Sequence, residues 1–251
     1  MKPLLITMPH SHYAEKARWG MDLTGIDYEE ESHPPLFHLF ATKKRGGRSV
    51  PVLVHDGKSY TDSTDILIHL DDIGTKLYPT QAELRTEALA LEETFDQSLG
   101  PHSRRWAYAQ LLPHSALLLK VMSPGAGRVE RALLPWILPI VKQVIKKAFR
   151  ITDQSAIRSL GIVDQVFSDV GQRLQHENAY LVGDRFTAAD LTFAALAAPV
   201  LLPPQYRSHM PALEELPDNA RSEVLRLRNT IAGKYALRLF REHRQSLGPA
   251  G

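Results

Sequence analysis

The chain is predicted to fold as an α/β domain over its first third, followed by an all-α domain over the remainder, and three observations carry that reading. From residue 1 to about 78, short apolar runs alternate with helical stretches. Beyond Tyr78-Pro79 the strand-like runs vanish and helical periodicity continues toward the C-terminus. With 251 residues, 43% hydrophobic and 23% charged, the composition is that of a globular protein large enough for two modest domains.

Strands are expected near residues 3–7, 28–32, 51–55 and 58–61, and helices near 12–24, 36–44 and 63–73. Leu4-Leu5-Ile6 is the first apolar run, and a helical pattern follows it through Leu23. Ser49-Val50-Pro51-Val52-Leu53-Val54, then Asp56-Gly57, then Thr61-Asp62-Ser63-Thr64-Asp65-Ile66, reads as strand, tight turn, strand and capped helix. Pro51 stands where a strand begins, a place suited to an edge position or to a cis bond. Leu70-Asp71-Asp72-Ile73-Gly74 closes the α/β unit, so the domains are expected at 1–78 and 79–251.

In the second domain, helical periodicity covers Ala82 to Leu99 and on past Trp106, Ala156 to Leu174, Ala188 to Val200, and Ser222 to Arg244. Between Pro113 and about Thr152 lies a segment that reads as an insertion near 113–152, roughly three dozen residues between two helices. Its stretch Leu133-Leu134-Pro135-Trp136-Ile137-Leu138-Pro139-Ile140-Val141 is followed by Lys142, Lys146, Lys147 and Arg150. Residues 133–150 are therefore apolar, Trp-bearing and basic at one end. Such a segment could make peripheral contact with a membrane surface, or pack on the helical bundle or over a cleft as protein. It is too short, and too interrupted by proline, to span a bilayer.

A net charge of +2 with both signs interspersed excludes a nucleic-acid footprint beyond local patches such as Lys43-Lys44-Arg45. The absence of cysteine removes disulfides, thiolate metal sites and protein-thiol redox chemistry together. None of the eleven histidines has metal-ligand spacing, so no metal is expected, and His10, His12 and His33 read as surface residues. Met1-Lys2-Pro3-Leu4-Leu5-Ile6 is too short an apolar run for a signal peptide, and the expected location is cytoplasmic.

Two motifs resemble one family. Ser11-His12-Tyr13-Ala14-Glu15-Lys16-Ala17-Arg18 resembles the start of glutathione transferases, where a Ser-Pro-Phe loop precedes a helix carrying an Arg; Ser11, Tyr13 and Arg18 match in order, and His12 replaces the Pro. Tyr180-Leu181-Val182-Gly183-Asp184-Arg185-Phe186-Thr187-Ala188-Ala189-Asp190-Leu191 resembles the family's helical-domain signature. There Thr187 and Asp190 form a capping box, and Phe186 is placed to staple against Leu191.

The resemblance implies a thioredoxin-like arrangement for the first domain and glutathione as co-substrate. It makes Ser11 the residue that activates the thiol, with Tyr13 in that role if His12 rearranges the loop. A hydroxyl aimed at the sulfur from a helix N-terminus suffices chemically, because only the thiolate is a competent nucleophile. By the same resemblance Asp62 and Ser63 hold the γ-glutamyl end, Val50 ahead of Pro51 pairs with the cysteinyl backbone, and Arg48 or Lys44 meets the glycyl carboxylate. Tyr13, His102, Arg105 and Trp106 are candidates for the pocket of a hydrophobic electrophile. The activity so implied is conjugation of glutathione to that electrophile, or reduction of an organic hydroperoxide, by a homodimer. The competing reading is a binding module for a peptide, an apolar ligand or a protein, in which Ser11 is dispensable.

Overall fold

The computed structural model describes residues 2–175 and 179–244, which divide into two compact units. The first comprises the chain up to Thr75, Leu111–Arg150 and Ser208–Met210; the second comprises Lys76–Gln110, Ile151–Arg207 and the described residues from Pro211 onward.

The first unit is built on a mixed four-stranded sheet in the order β2-β1-β3-β4. Strand β1 (Leu4–Thr7) runs parallel to β2 (Glu29–Ser32) and antiparallel to β3 (Val52–His55), with Ile6 opposite Val52. Strand β4 (Lys58–Tyr60) completes the far edge antiparallel to β3. Successive side chains point to opposite faces, and Leu5 and Ile6 are both buried, so the central strand is covered on both sides. Strand β2 is the reverse case: Glu29-Glu30-Glu31 supplies charge to an edge, which suppresses pairing with foreign strands.

Helices α1 (His12–Thr24) and α3 (Ser63–Leu70) pack together, while α2 (Phe37–Lys43) lies against β1. The expected helix over 63–73 stops three residues early, giving way to a wider π turn over Asp71–Thr75 in which Gly74 reaches φ 128°. Gly47 brings the chain back from α2 to β3. Its amide donates to Thr42 O at 3.0 Å, and a Cβ there would lie 2.6 Å from Val52 Cγ2.

The segment 113–152 folds within the first unit as α6 (Ser115–Met122) and α7 (Arg128–Ala148), which pack on one another. The prolines do not interrupt the helix as expected: α7 runs unbroken through Pro135 and Pro139. Both lie on its exposed side, where water can satisfy the carbonyls of Arg131 and Pro135 that lose an amide donor. Leu134, Leu138, Val141 and Ile145 form the buried line that anchors the helix.

The second unit is helical throughout. Helix α4 (Ala82–Thr94) passes through a π turn at Phe95–Leu99 into α5 (Gly100–Leu111), followed by α8 (Asp153–Leu174) and α9 (Ala188–Leu201). Helix α9 is apolar around nearly its whole circumference and is correspondingly buried on all sides. The last expected helix is in fact two, α10 (Asp218–Asn229) and α11 (Ile231–His243). Thr230 makes the break: its hydroxyl donates to Leu227 O and accepts from Gly233 N, and Gly233 lets the chain turn because a Cβ there would sit 2.0 Å from Leu227 O.

Asp190 organises the start of α9. Its carboxylate accepts the Thr187 amide at 2.7 Å, the Thr187 hydroxyl at 2.8 Å, the Leu181 amide at 2.8 Å and the Tyr235 hydroxyl. Arg185 donates to Lys76 O and Tyr78 O, and Ala188 N to Leu77 O, so the same lead-in fastens the entry to this unit. The Phe186 ring stacks on His243 at 4.3 Å. Replacing Asp190 strands four donors in a dry site. Asp190→Ala is expected to cost about 3–5 kcal/mol in urea denaturation, and Tyr235→Phe, which removes one donor, about 1–2 kcal/mol.

Candidate functional site

Strand directions bring three loops to one end of the sheet. Because β1 and β3 are antiparallel, the end of β1 lies beside the start of β3, and Leu53 opposite Tyr60 puts the end of β4 there too. The segments leaving or entering at that end are Met8–Ser11, Val50–Pro51 and Thr61–Asp62. Two of them open helices, so the N-terminal ends of α1 and α3, with their unpaired amides and partial positive charge, are presented on the same side of the first unit.

Ser11 is the N-cap of α1. Its Oγ accepts the Ala14 amide at 3.2 Å and its own amide donates to Met8 O at 3.1 Å. Accepting leaves the hydroxyl proton available to a second acceptor. Tyr13 follows in the first turn, half-buried, its ring 4.5 Å from that of His12. His12 is only 2% exposed, which corrects the surface placement expected for it: it falls on the face of α1 that packs inward.

Asp62 is the N-cap of α3, its Oδ1 accepting from Thr64 N at 2.8 Å and Asp65 N at 3.4 Å, and Ser63 is the buried first residue of the helix. The Val50–Pro51 bond is cis. Among the described residues, the backbone of Val50 has no hydrogen bond to the rest of the chain. Lys44 and Arg48 are exposed on the loop between α2 and β3.

Arg18 braces this arrangement from behind. Buried to 2% exposure, its guanidinium donates to Glu30 Oε1 at 2.6 Å, Thr7 Oγ1 at 3.0 Å, Met8 O at 3.1 Å and Pro9 O at 3.2 Å, with Glu15 at 3.6 Å. Lys16 Nζ, also buried, donates to Thr64 Oγ1 at 2.9 Å and ties α1 to the first turn of α3. Sequence reasoning missed that link. Lys16 and Thr64 each stand inside a quoted motif, but nothing local to either signals a partner 48 residues away.

His10, directly before Ser11, is half-buried rather than a surface residue; burial, then the Arg18 and His38 charges, hold its imidazole down at about 3. His38 is lowered by burial as well. His33 Nδ1 lies 2.7 Å from Glu130 Oε1.

The other expected pocket residues belong to the second unit. His102 Nδ1 and Arg105 Nη1 meet the buried Ser159 hydroxyl at 3.0 Å each, and burial followed by Arg105 lowers the His102 pKa. Trp106 is 5% exposed and packs as core. Among the described residues no group of three His, Asp or Glu side chains is placed to hold a metal ion, and no helix is long and apolar enough to cross a membrane.

Residues 5–74, which hold the three loops, match the glutathione S-transferase N-terminal domain. A glutathione transferase of maize (Zea mays), GST 23, is 37% identical over 71 residues, a match covering 26% of this chain and 30% of the maize protein's length. Over the whole chain the fold matches a glutathione S-transferase of Xanthobacter autotrophicus, with TM-score 0.63 and 17% identity over 99% of this chain and 98% of that one. It also matches a glutathione transferase of Burkholderia graminis, solved with two glutathione molecules per subunit, with TM-score 0.58 and 18% identity over 96% and 84% of the two chains. The part of the first unit up to Thr75 thus has the thioredoxin-like arrangement found at the N-terminus of the glutathione transferase fold. Residues 5–74 are therefore similar to the N-terminal domain of glutathione transferases, and the whole chain shares the fold of solved members of that family.

The His10 environment sets an acid limit on stability. An unfolded histidine takes up a proton near 6.5, whereas folded His10 resists it down to about 3, so stability falls as pH drops through that interval. Urea titrations between pH 7 and 4 are expected to show His10→Gln losing stability less steeply than the wild type, by up to about 1.4 kcal/mol per pH unit.

Proposed function

We propose that the protein is a glutathione transferase that activates the glutathione thiol through Ser11 and directs it at a hydrophobic electrophile. The observation that carries this reading is the convergence of Ser11, Val50 and Asp62-Ser63 on one end of the sheet, where α1 and α3 both begin. Each part suits one portion of an extended tripeptide thiol. Ser11 has its oxygen occupied by the Ala14 amide and a proton left to donate, which favours the thiolate over the thiol. The unengaged backbone of Val50 suits an added strand, and the amide end of α3 with Ser63 suits a carboxylate. Asp62 is proposed to meet the ammonium, while Lys44 and Arg48 are exposed cations within the loop preceding Val50 and suit the second carboxylate.

The thiolate then attacks an electrophilic carbon, forming the C–S bond as the leaving group departs with its electron pair. With an organic hydroperoxide it attacks oxygen instead, cleaving O–O, and a second glutathione completes the reduction to alcohol, water and disulfide. Tyr13 on the first turn of α1 is the alternative hydroxyl and is proposed to border the electrophile. The same reading makes the protein a cytoplasmic homodimer.

One observation favours a binding module without turnover: the Ser11 hydroxyl already serves the fold as an N-cap, a role that does not require chemistry. Ultraviolet titration of bound glutathione separates the two. For the transferase, the wild type holds the thiol pKa about one to two pH units below its free value, and Ser11→Ala restores it while still binding. Saturable binding with no such lowering in the wild type selects the module, and absence of glutathione binding rejects both glutathione readings. Ser63→Ala is expected to weaken glutathione about tenfold in calorimetry while leaving the thiol pKa of the bound fraction low.

A further inference from the structure

Helix α7 carries a second apolar line. Val129, Leu133, Trp136, Ile140 and Val144 are spaced at four, three, four and four residues and fall within an arc of about 80° at 100° per residue. All five are exposed, Trp136 to 84% and Val129 to 70%. The buried line through Leu134, Leu138, Val141 and Ile145 lies on a different face, so anchoring the helix in its unit leaves the second line uncovered. Along a helix of about 30 Å this is too long a run of large apolar side chains to be scattered surface residues.

Charge identifies what covers it. From residue 128 to 150 the chain carries Arg128, Arg131, Lys142, Lys146, Lys147 and Arg150 against one acid, Glu130, whose carboxylate is held by His33 and Gly127 N. Lys147 falls within the apolar arc, while Arg131 and Lys142 fall on the opposite side of the helix and donate to Ala126 O and Ser115 Oγ, so a parallel second copy would set Lys147 against itself and an antiparallel one would set it toward the partner's Arg128 end. Either pairing brings like charges together. An anionic lipid surface meets neither objection: it demands no matching shape, accepts apolar side chains a few ångströms deep, and suits an indole whose N–H stays at the headgroups. Pro135 and Pro139, with the carbonyls they leave without amide donors, lie outside the apolar arc, so wetting them is compatible with burying it.

We infer that the face of α7 formed by Val129, Leu133, Trp136, Ile140 and Val144 docks the protein in the plane of an anionic bilayer surface. The inference does not depend on the glutathione chemistry, and Ser11→Ala should bind vesicles as the wild type does.

The test is flotation of the full chain with phosphatidylcholine vesicles, alone and mixed with phosphatidylserine. Flotation is expected with the mixed vesicles only and should be lost at high salt. Trp19 and Trp106 are buried, so a blue shift of tryptophan emission on binding reports Trp136, and Trp136→Phe should abolish the shift while retaining most of the flotation. Leu133→Ser with Ile140→Ser, and separately Lys146→Ala with Lys147→Ala, should each reduce partitioning about tenfold or more. These side chains are exposed, so an unchanged denaturation midpoint verifies that the fold is intact. Failure to float with mixed vesicles, or undiminished flotation of the double serine variant, overturns the inference. So does a dimer, seen by sedimentation, that dissociates on Leu133→Ser with Ile140→Ser, because a second copy would then own the face.

Discussion

The buried guanidinium of Arg18 is the constraint on which the geometry of the first unit depends. A charge removed from water is tolerable only when nearly all its donors are met, and here the acceptors come from three places: the Glu30 carboxylate on β2, the Thr7 hydroxyl at the end of β1, and the Met8 and Pro9 carbonyls between that strand and Ser11. The edge strand, the central strand and the loop are thereby referred to one rigid group on α1. Ser11 inherits its position from this arrangement, since its amide bonds back to Met8 O, whose oxygen also accepts from Arg18. The acidic edge strand acquires a second purpose in the same way. Glu30 protects the sheet edge as charge and also supplies the counter-ion that lets Arg18 be buried.

Lys16 extends the same logic to α3. Its ammonium, buried and bonded to Thr64, fixes where the second helix N-terminus stands relative to the first. Two helix N-termini facing one side would repel one another and attract anions, so their juxtaposition favours negative charge at that end of the sheet. Asp62 tempers that field: capping α3 satisfies two amides and sets one carboxylate at the helix N-terminus. Neutral His10 adds no competing positive charge at physiological pH, because burial beside Arg18 keeps its imidazole unprotonated.

Much of the fold was legible because its signals are local. Apolar runs, the Asp56-Gly57 turn and the Asp62 cap placed the strands and the first three helices to within a few residues, since each depends on side chains adjacent in sequence. The misses share a cause. Thr230 looked unexceptional inside a long helical pattern, and only the approach of Gly233 to Leu227 O shows why the chain must break there. His12 read as a surface residue because its burial is decided by the tertiary packing of α1, not by its neighbours in sequence. At the candidate site, the individual motifs could be found from sequence, whereas Lys16–Thr64 and the Arg18 network join residues whose pairing is written only in the topology.

Helix α7 shows how composition can be right about a segment and silent about its geometry. Leu133 to Val141 is almost wholly apolar, which by itself describes a core helix as well as a surface one. The fold separates the two by rotation: one line of the helix is buried in its own unit, and the other, about 130° around, is exposed. Proline contributes to that outcome. At 135 and 139 it removes two helical hydrogen bonds, which is affordable only on a wetted face, so the prolines constrain which side of α7 can lie against protein or lipid. Burying either apolar line leaves that proline face in water, and so a single helix can serve the fold on one side and an outside surface on another.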